Sequence, residues 1–332
     1  MNSVNQRNFN GSAQDPEKRR YLDAFFYFLI VQGFFLIGLI PRKTAVHAAN
    51  WLGRLWFAAD RRHREIAVSN IGRVFGGQMT PQQIRAMARS VFCSLVRIVF
   101  EIGWSLRLNH TDIRKHFRFS GMHHLQAALG EKKGVLVLTG HIGNWELLPL
   151  AMGQVGLPVS AMYRPLEFEP LDRFFISQRS RYGARLLAKR RAMRGMLSAL
   201  HNNELIGMLL DQNARVKDGV FVDFFGSPAC TGKGMALLAR RTGAPVVPVF
   251  LVREKGYYRV ECHPALPKIE TRDKTKDIEA ATALYNKVIE DMIRRYPQQW
   301  FWVHHRWKTK PFKPWAPKTG SVPDKITDGE KQ

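Results

Sequence analysis

The sequence predicts an α/β fold, a mostly parallel central sheet flanked by helices, with a membrane-anchoring helix at the N-terminus. Three observations predict it. From about residue 116 onward, short apolar runs alternate with helix-length amphipathic segments, the signature of successive βα units. One such run, Val135–Leu138, reads as a buried strand. It passes through Gly140-His141-Ile142-Gly143 into a helical stretch starting at Trp145, which sets His141 at a strand's carboxyl end, the usual place for chemistry in such sheets. Finally, Tyr21–Ile40 is strongly apolar, and its twenty residues are just enough to cross a hydrocarbon core of about 30 Å.

Residues 1–20 are polar and end in Lys18-Arg19-Arg20. The apolar segment 21–40 is interrupted by Asp23 and Gln32, and no small-x-small cleavage site follows it, so an uncleaved anchor fits better than a secretory signal. An amphipathic helix lying in the membrane plane is the alternative. Basic residues flank both ends, Arg42 and Lys43 on the far side, so charge asymmetry does not orient it. Residues 44–75 read as two helices around the Ala58-Ala59-Asp60 break. Arg61, Arg62, His63 and Arg64 there suit lipid head groups and a solvated helix start equally well. Thr80-Pro81-Gln82-Gln83 carries a helix-start signature, and Ile84, Met87, Ala88, Val91, Leu95, Val99 and Ile102 continue at helical spacing.

In the alternating region, strands are expected at Phe117–Phe119, Val135–Leu138, Val159–Tyr163, Leu205–Leu210, Val246–Val252, Tyr257–Cys262 and Trp300–Val303. Helices are expected near 122–130, 145–155, 169–182, 191–201, 233–243 and 276–295. The implied organisation is 1–43, polar start and anchor; 44–105, a helical segment; 106–315, the α/β core; and 316–332, a Pro-, Lys- and Gly-rich tail expected to be disordered.

Composition narrows the partners. The net charge of +24 over 332 residues calls for an anionic partner: nucleic acid, lipid surface, phosphorylated substrate or acidic protein. Cys93, Cys230 and Cys262 are far apart, form no zinc pattern, and read as reduced thiols. Gly226–Gly234 imitates a phosphate loop, but its spacing is one residue too long and Gly234 stands where Ser or Thr is needed.

His141-x4-Glu146 is the one His-x4-acid spacing in the chain, which matches chance expectation. On a continuous helix the two residues would lie about 140° apart. They can meet only if His141 sits in the turn before the helix. A buried histidine satisfied by a carbonyl is the competing reading.

Further pieces occur in order: Tyr163-Arg164-Pro165, Arg179, Asp211-Gln212-Asn213, Phe224-Phe225-Gly226, Thr231-Gly232, and Trp302-x3-Arg306-Trp307-Lys308. Together with His141–Glu146 they resemble the late lipid A biosynthesis acyltransferase family (lauroyl and myristoyl transferases) of the lysophospholipid acyltransferase superfamily, from the apolar N-terminus to Trp307. The resemblance implies a glycerolipid-acyltransferase-like fold at the cytoplasmic face of a bacterial inner membrane. It further implies acyl transfer from a thioester, carried by acyl carrier protein or CoA, to a hydroxyl of a lipid A precursor.

Direct transfer of this kind needs a base and oxyanion stabilisation, and no enzyme nucleophile. The absence of a Gly-x-Ser-x-Gly elbow fits that and speaks against a membrane hydrolase. His141 is the expected base and Glu146 its orienting carboxylate, as in a triad. Arg179 is expected to stabilise the oxyanion or bind a phosphate within the basic run Arg173–Arg194. Arg164 should face the site. Asp211 should contact substrate or pair with Arg179, a helix cap being the plain alternative. Arg306 and Lys308 are expected in structural or head-group roles. No metal and no cofactor are expected, the thioester being a co-substrate, and a monomer is the expected state. The alternatives are acylation of another polar lipid (lysophospholipid, glycolipid or aminolipid) and, from a different class, nucleic-acid binding. Segment 21–40 and the absence of a nucleic-acid motif weigh against the latter.

Overall fold

The structure is a computed structural model and describes residues 16–188 and 192–312. The tail 316–332, for which disorder is expected, lies outside the described residues.

Four helices open the chain: α1 (Pro16–Leu39), α2 (Arg42–Ala59), α3 (Arg61–Phe75) and α4 (Pro81–Ser105). Asp60 makes the predicted break. Its carboxylate accepts from the Trp56 indole at 3.1 Å and from the His63 backbone N–H at 3.0 Å, so one side chain ends α2 and caps α3. Thr80 and Gln83 form the predicted capping box: Gln83 N–H donates to Thr80 Oγ1 at 3.3 Å, and Thr80 N–H to Gln83 Oε1 at 2.8 Å. The buried face of α4 follows the predicted stripe, except that Val99 is exposed and Ile98 is buried.

Helix α1 does not stand apart from the body. It docks along α4 and along α8 (Glu169–Ser180), with Phe34 stacked on Phe174 at 4.4 Å between centroids. At its end, Gly38 meets Gly103 so closely that a Cβ on Gly38 would fall 2.3 Å from the Gly103 carbonyl oxygen. The opposite side of α1, with Tyr21, Phe25, Phe28 and Leu36, is exposed. By length and composition, Arg19–Leu39 is the one stretch among the described residues able to cross a membrane.

After α5 (His110–His116) comes the α/β core. Its strands are β1 (Phe117–Ser120), β2 (Val135–Thr139), β3 (Val159–Tyr163), β4 (Arg185–Ala188), β5 (Leu205–Leu209), β8 (Val246–Arg253) and β9 (Tyr258–Cys262), in the spatial order β1-β9-β8-β2-β5-β3-β4. Every neighbouring pair is parallel except β8–β9. The connecting helices are α6 (Met122–Gly130), α7 (Leu148–Gln154), α8, α9 (Ala192–His201) and α10 (Gly234–Thr242), with α11 (Lys274–Arg295) after β9.

Central β2 is buried along its whole length, as a parallel strand covered on both faces must be. Leu136 and Leu138 pack into one core layer with Ile206, Met208 and Phe250. Val135 and Val137 pack into the other with Leu205, Val247 and Leu251.

Some elements differ from expectation. Strand β4 went unpredicted because it is short, basic at its start and at the sheet edge. The hairpin β6 (Gly219–Phe224) and β7 (Ser227–Gly232) went unpredicted because the apolar run of β6, Val220-Phe221-Val222, is only three residues long between Gly219 and Asp223, and β7 carries Ser, Pro, Thr and Gly with no such run. It is held by α11, whose Asn286 donates to the Asp223 carbonyl at 2.8 Å. The expected strand Trp300–Val303 is not one. Trp300 makes a single antiparallel bridge to Ile142, because its partner is a turn and not the sheet.

Candidate active site

Parallel pairing sets Thr139 of β2 opposite Leu209 of β5. Two residues past each, His141 and Asp211 leave the sheet side by side. Asp211 accepts from the His141 backbone N–H at 2.7 Å and faces the ring Nδ1 at 2.7 Å. The Trp300 indole N–H donates to the same carboxylate at 2.7 Å. Only 1% of Asp211 is exposed. Burial pushes its carboxyl upward, but the His141 charge and the ring, indole and backbone donors outweigh burial and hold it down at about 2. An ionised carboxylate can only accept, so in the neutral ring the histidine proton sits on Nδ1 and the Nε2 lone pair is available. That Nε2 lies 3.3 Å from the side-chain amide nitrogen of Gln212. Trp145 and Phe301 wall the ring, at 4.9 and 5.9 Å between centroids.

The sequence expectation paired these carboxylates the other way round. Glu146 does not hold His141. It makes a two-pronged pair with Arg179, at 2.8 and 2.9 Å, and accepts from the Trp145 indole at 3.0 Å. Nor does Asp211 pair with Arg179. Strand register brings Asp211 to both N–H groups of His141, whereas the turn 142–144 carries Glu146 round to the last turn of α8, where Arg179 sits. Burial pulls the Arg179 guanidinium down, and Glu146 more than reverses this, leaving it above its usual value.

The turn itself is clamped. Gly143 has φ 66°, and a Cβ there would fall 1.9 Å from the Leu251 carbonyl oxygen, so only glycine fits. Its N–H donates to Gln299 O at 2.9 Å and its carbonyl accepts from Arg253 at 3.1 Å. Asn144 donates to Glu101 at 2.9 Å, and Glu101 pairs with Arg253 at 3.1 Å. An oriented base, a held turn and a half-buried arginine beside it form the equipment of proton-transfer catalysis with anion stabilisation.

Residues 13–309 match the family model for bacterial lipid A biosynthesis acyltransferases. The chain belongs to that family. It is 30% identical to the lipid A biosynthesis palmitoleoyltransferase of Escherichia coli over 255 residues, covering 76% of this chain and 80% of the relative. It is 29% identical to the lipid A biosynthesis lauroyltransferase of the same organism over 284 residues, 83% and 89% of the two chains. It is also 25% identical to the phosphatidylinositol mannoside acyltransferase of Mycobacterium tuberculosis over 298 residues, 80% and 91% of the two. The protein is an acyltransferase.

The other residues singled out in this acyltransferase are scattered. Arg164 is exposed just past β3, and Lys308 is exposed near the end of the described chain. Arg306 is fully buried and faces inward. It donates to the Cys230 carbonyl at 3.1 Å and to Thr231 Oγ1 at 2.6 Å, with its guanidinium 4.5 Å from the Phe224 ring centroid. Burial pulls it down to about 10. It therefore ties the end segment to β7.

Sequence reasoning gave no role to Arg253, Glu101, Gln299 or Trp300, and named Gln212 only as part of the Asp211-Gln212-Asn213 motif. The one available signal was Glu101, a carboxylate inside the apolar stripe of α4. His304 accepts from the Asn213 N–H at 2.9 Å, and burial holds it down from 6.5 to about 4. Its folded value lies below its unfolded one, so its contribution to stability is complete above pH 6.5 and lost as pH falls through about 4. In thermal unfolding, the midpoint should fall across that window, and His304→Gln should flatten the fall. An identical slope in both proteins would contradict this role.

Proposed function

We propose that this acyltransferase moves a fatty acyl group from a thioester, carried by acyl carrier protein, to a hydroxyl of a lipid A precursor. The observation that carries the mechanism is the His141–Asp211 pair, with Nδ1 committed to the carboxylate and Nε2 turned to the site. The acceptor hydroxyl displaces the Gln212 amide from Nε2 and gives its proton to that nitrogen as its oxygen attacks the thioester carbonyl. Asp211 stabilises the imidazolium. The tetrahedral oxyanion collapses, the C–S bond breaks, and the leaving thiolate takes the proton back from Nε2. Products are an ester and a free thiol, with no acyl-enzyme. Among the described residues no serine or cysteine is hydrogen-bonded to His141. Arg179, aligned by Glu146, stabilises the oxyanion or a substrate phosphate. The scheme calls on no resident cofactor.

The same reading puts the enzyme at the cytoplasmic face of a bacterial inner membrane. The exposed apolar side of α1 supports it, as do exposed Trp51, Leu52 and Leu55 on α2. Midway along α1, the Arg173 guanidinium lies 4.6 Å from the Tyr27 ring centroid, a charged contact that suits a helix holding the body against the bilayer surface. A glycolipid acceptor is the second reading, favoured by the match to the phosphatidylinositol mannoside acyltransferase along 91% of that protein.

The test offers acyl carrier protein and CoA thioesters, in parallel, to a lipid A precursor, a glycolipid and lysophospholipid, with products identified by mass. Transfer to the lipid A precursor from acyl carrier protein is expected. Transfer to lysophospholipid alone would overturn the acceptor assignment.

A further inference from the structure

A cavity of about 580 Å³ opens between α2, α4 and the β8–β9 turn. None of His141, Glu146, Arg179 or Asp211 lines it. Its charged walls are Arg54, Arg89, Arg97, Arg253 and Lys255, against one carboxylate, Glu254. That carboxylate is taken by Arg259. Glu101 satisfies Arg253 at 3.1 Å and approaches Arg97 at 3.3 Å. Among the described residues, Arg54, Arg89 and Lys255 have no carboxylate within ion-pair distance.

The helices bring these cations together by design of the backbone contact. Gly53 of α2 meets α4 so closely that a Cβ would lie 2.4 Å from Cys93 Cα. The half-buried Cys93 thiol lines the cavity. Burial raises its pKa, while the charges of Arg54 and Arg89, which line the same cavity, pull the other way. Like charges gathered in a concave, polar pocket whose one lining carboxylate is already engaged are repulsive when empty and strongly attractive to a multiply charged anion. Ser90 and Gln298 add neutral hydrogen-bonding groups. Three unpaired cations exceed what a carboxylate needs and suit the charge and oxygen count of a phosphate.

We propose that this cavity binds a phosphomonoester or diphosphate group, separately from the acyl-transfer site, with Arg54, Arg89 and Lys255 as its cationic contacts. The occupant sits against the catalytic clamp, because Arg253 and Gln299 line the cavity and together hold the carbonyl and N–H of Gly143. The phosphate can belong to a lipid head group or to a soluble compound. The apolar face of α2, with Trp51 and Leu55 about a quarter-turn from Arg54, borders it on the lipid side.

Cys93 serves as the reporter, since Cys230 and Cys262 are buried. The full chain, in phosphatidylcholine vesicles, is alkylated with a maleimide and the Cys93 label is followed by mass. One arm adds inorganic pyrophosphate and the other adds phosphatidic acid to the vesicles. At ten times its dissociation constant, a bound probe should slow labelling about tenfold. Protection should be lost in Arg54→Gln/Arg89→Gln. Protection by pyrophosphate identifies a soluble source, and protection by phosphatidic acid alone a head group; either supports the site. No protection in either arm, or equal protection in the double variant, overturns it. Acyl transfer measured on the same samples separates failure of this site from failure of the transfer reading.

Discussion

Asp211→Asn should lower kcat by a factor on the order of a thousand to ten thousand, the effect that loss of the orienting carboxylate has in a catalytic triad. Asp211 meets donors on both oxygens: His141 Nδ1 at Oδ1, and the His141 backbone and Trp300 indole N–H groups at Oδ2. An asparagine has one acceptor oxygen. If it faces the ring, two buried donors lose their partner to an NH₂ group. If it faces those donors, its NH₂ points at Nδ1 and drives the imidazole to the other tautomer, with the proton on Nε2. A protonated Nε2 cannot take a proton from a hydroxyl.

Stability should change as well. The carboxyl's folded value of about 2 lies below the ordinary 3.8, so its stabilisation is complete above about pH 4 and fades as pH falls through about 2. The amide has no such titration, and the variant should lack that acid-side dependence. Steady-state kinetics, with intrinsic tryptophan fluorescence as a check on folding, test the prediction. Near-normal turnover in Asp211→Asn would return the orienting role to another residue.

Why the sequence reading gave the orienting role to Glu146 and not to Asp211 is a matter of geometry. Distance along the chain tied Glu146 to His141, five residues apart. The pairing that forms spans 70 residues. Both strands were recognisable as apolar runs, and Asp211 was recognisable as the polar residue closing the second. Their adjacency and register were not. In a parallel sheet neighbours are set by crossover topology, and once Thr139 is opposite Leu209 the equal offsets of His141 and Asp211 follow. The same limit hid the clamp. Arg253, Glu101 and Gln299 come from β8, α4 and the segment after α11, and meet only through tertiary packing. Local signals fared better: the Asp60 break and the Thr80 capping box each act within a few residues of themselves. The hairpin β6–β7 offered only the three-residue run Val220–Val222, too short to declare a strand pair, and α11 helps to hold it through Asn286.

Arg179→Met should lower kcat by about a hundred- to a thousandfold, the usual cost of losing a principal donor to a developing oxyanion. Glu146→Gln should lower it less. Two roles for Glu146 give different outcomes when the changes are combined. Arg179 spends Nε and one terminal nitrogen on Glu146, at 2.8 and 2.9 Å, which leaves its other terminal nitrogen to donate elsewhere. The side chains are only 21% and 13% exposed, so solvent does little to replace either partner. If Glu146 works by aiming that guanidinium, it has nothing left to do once Arg179 is methionine. Glu146→Gln/Arg179→Met should then be no slower than Arg179→Met alone, beyond the residual cost of a changed cavity wall. If Glu146 acts on His141 or the substrate directly, the losses should multiply. Arg179→Lys sharpens the reading, because lysine keeps the charge but not the planar fork that grips both carboxylate oxygens. Its turnover should fall between wild type and Arg179→Met. Multiplicative losses in the double variant would overturn the assignment of Glu146 as the residue that positions Arg179.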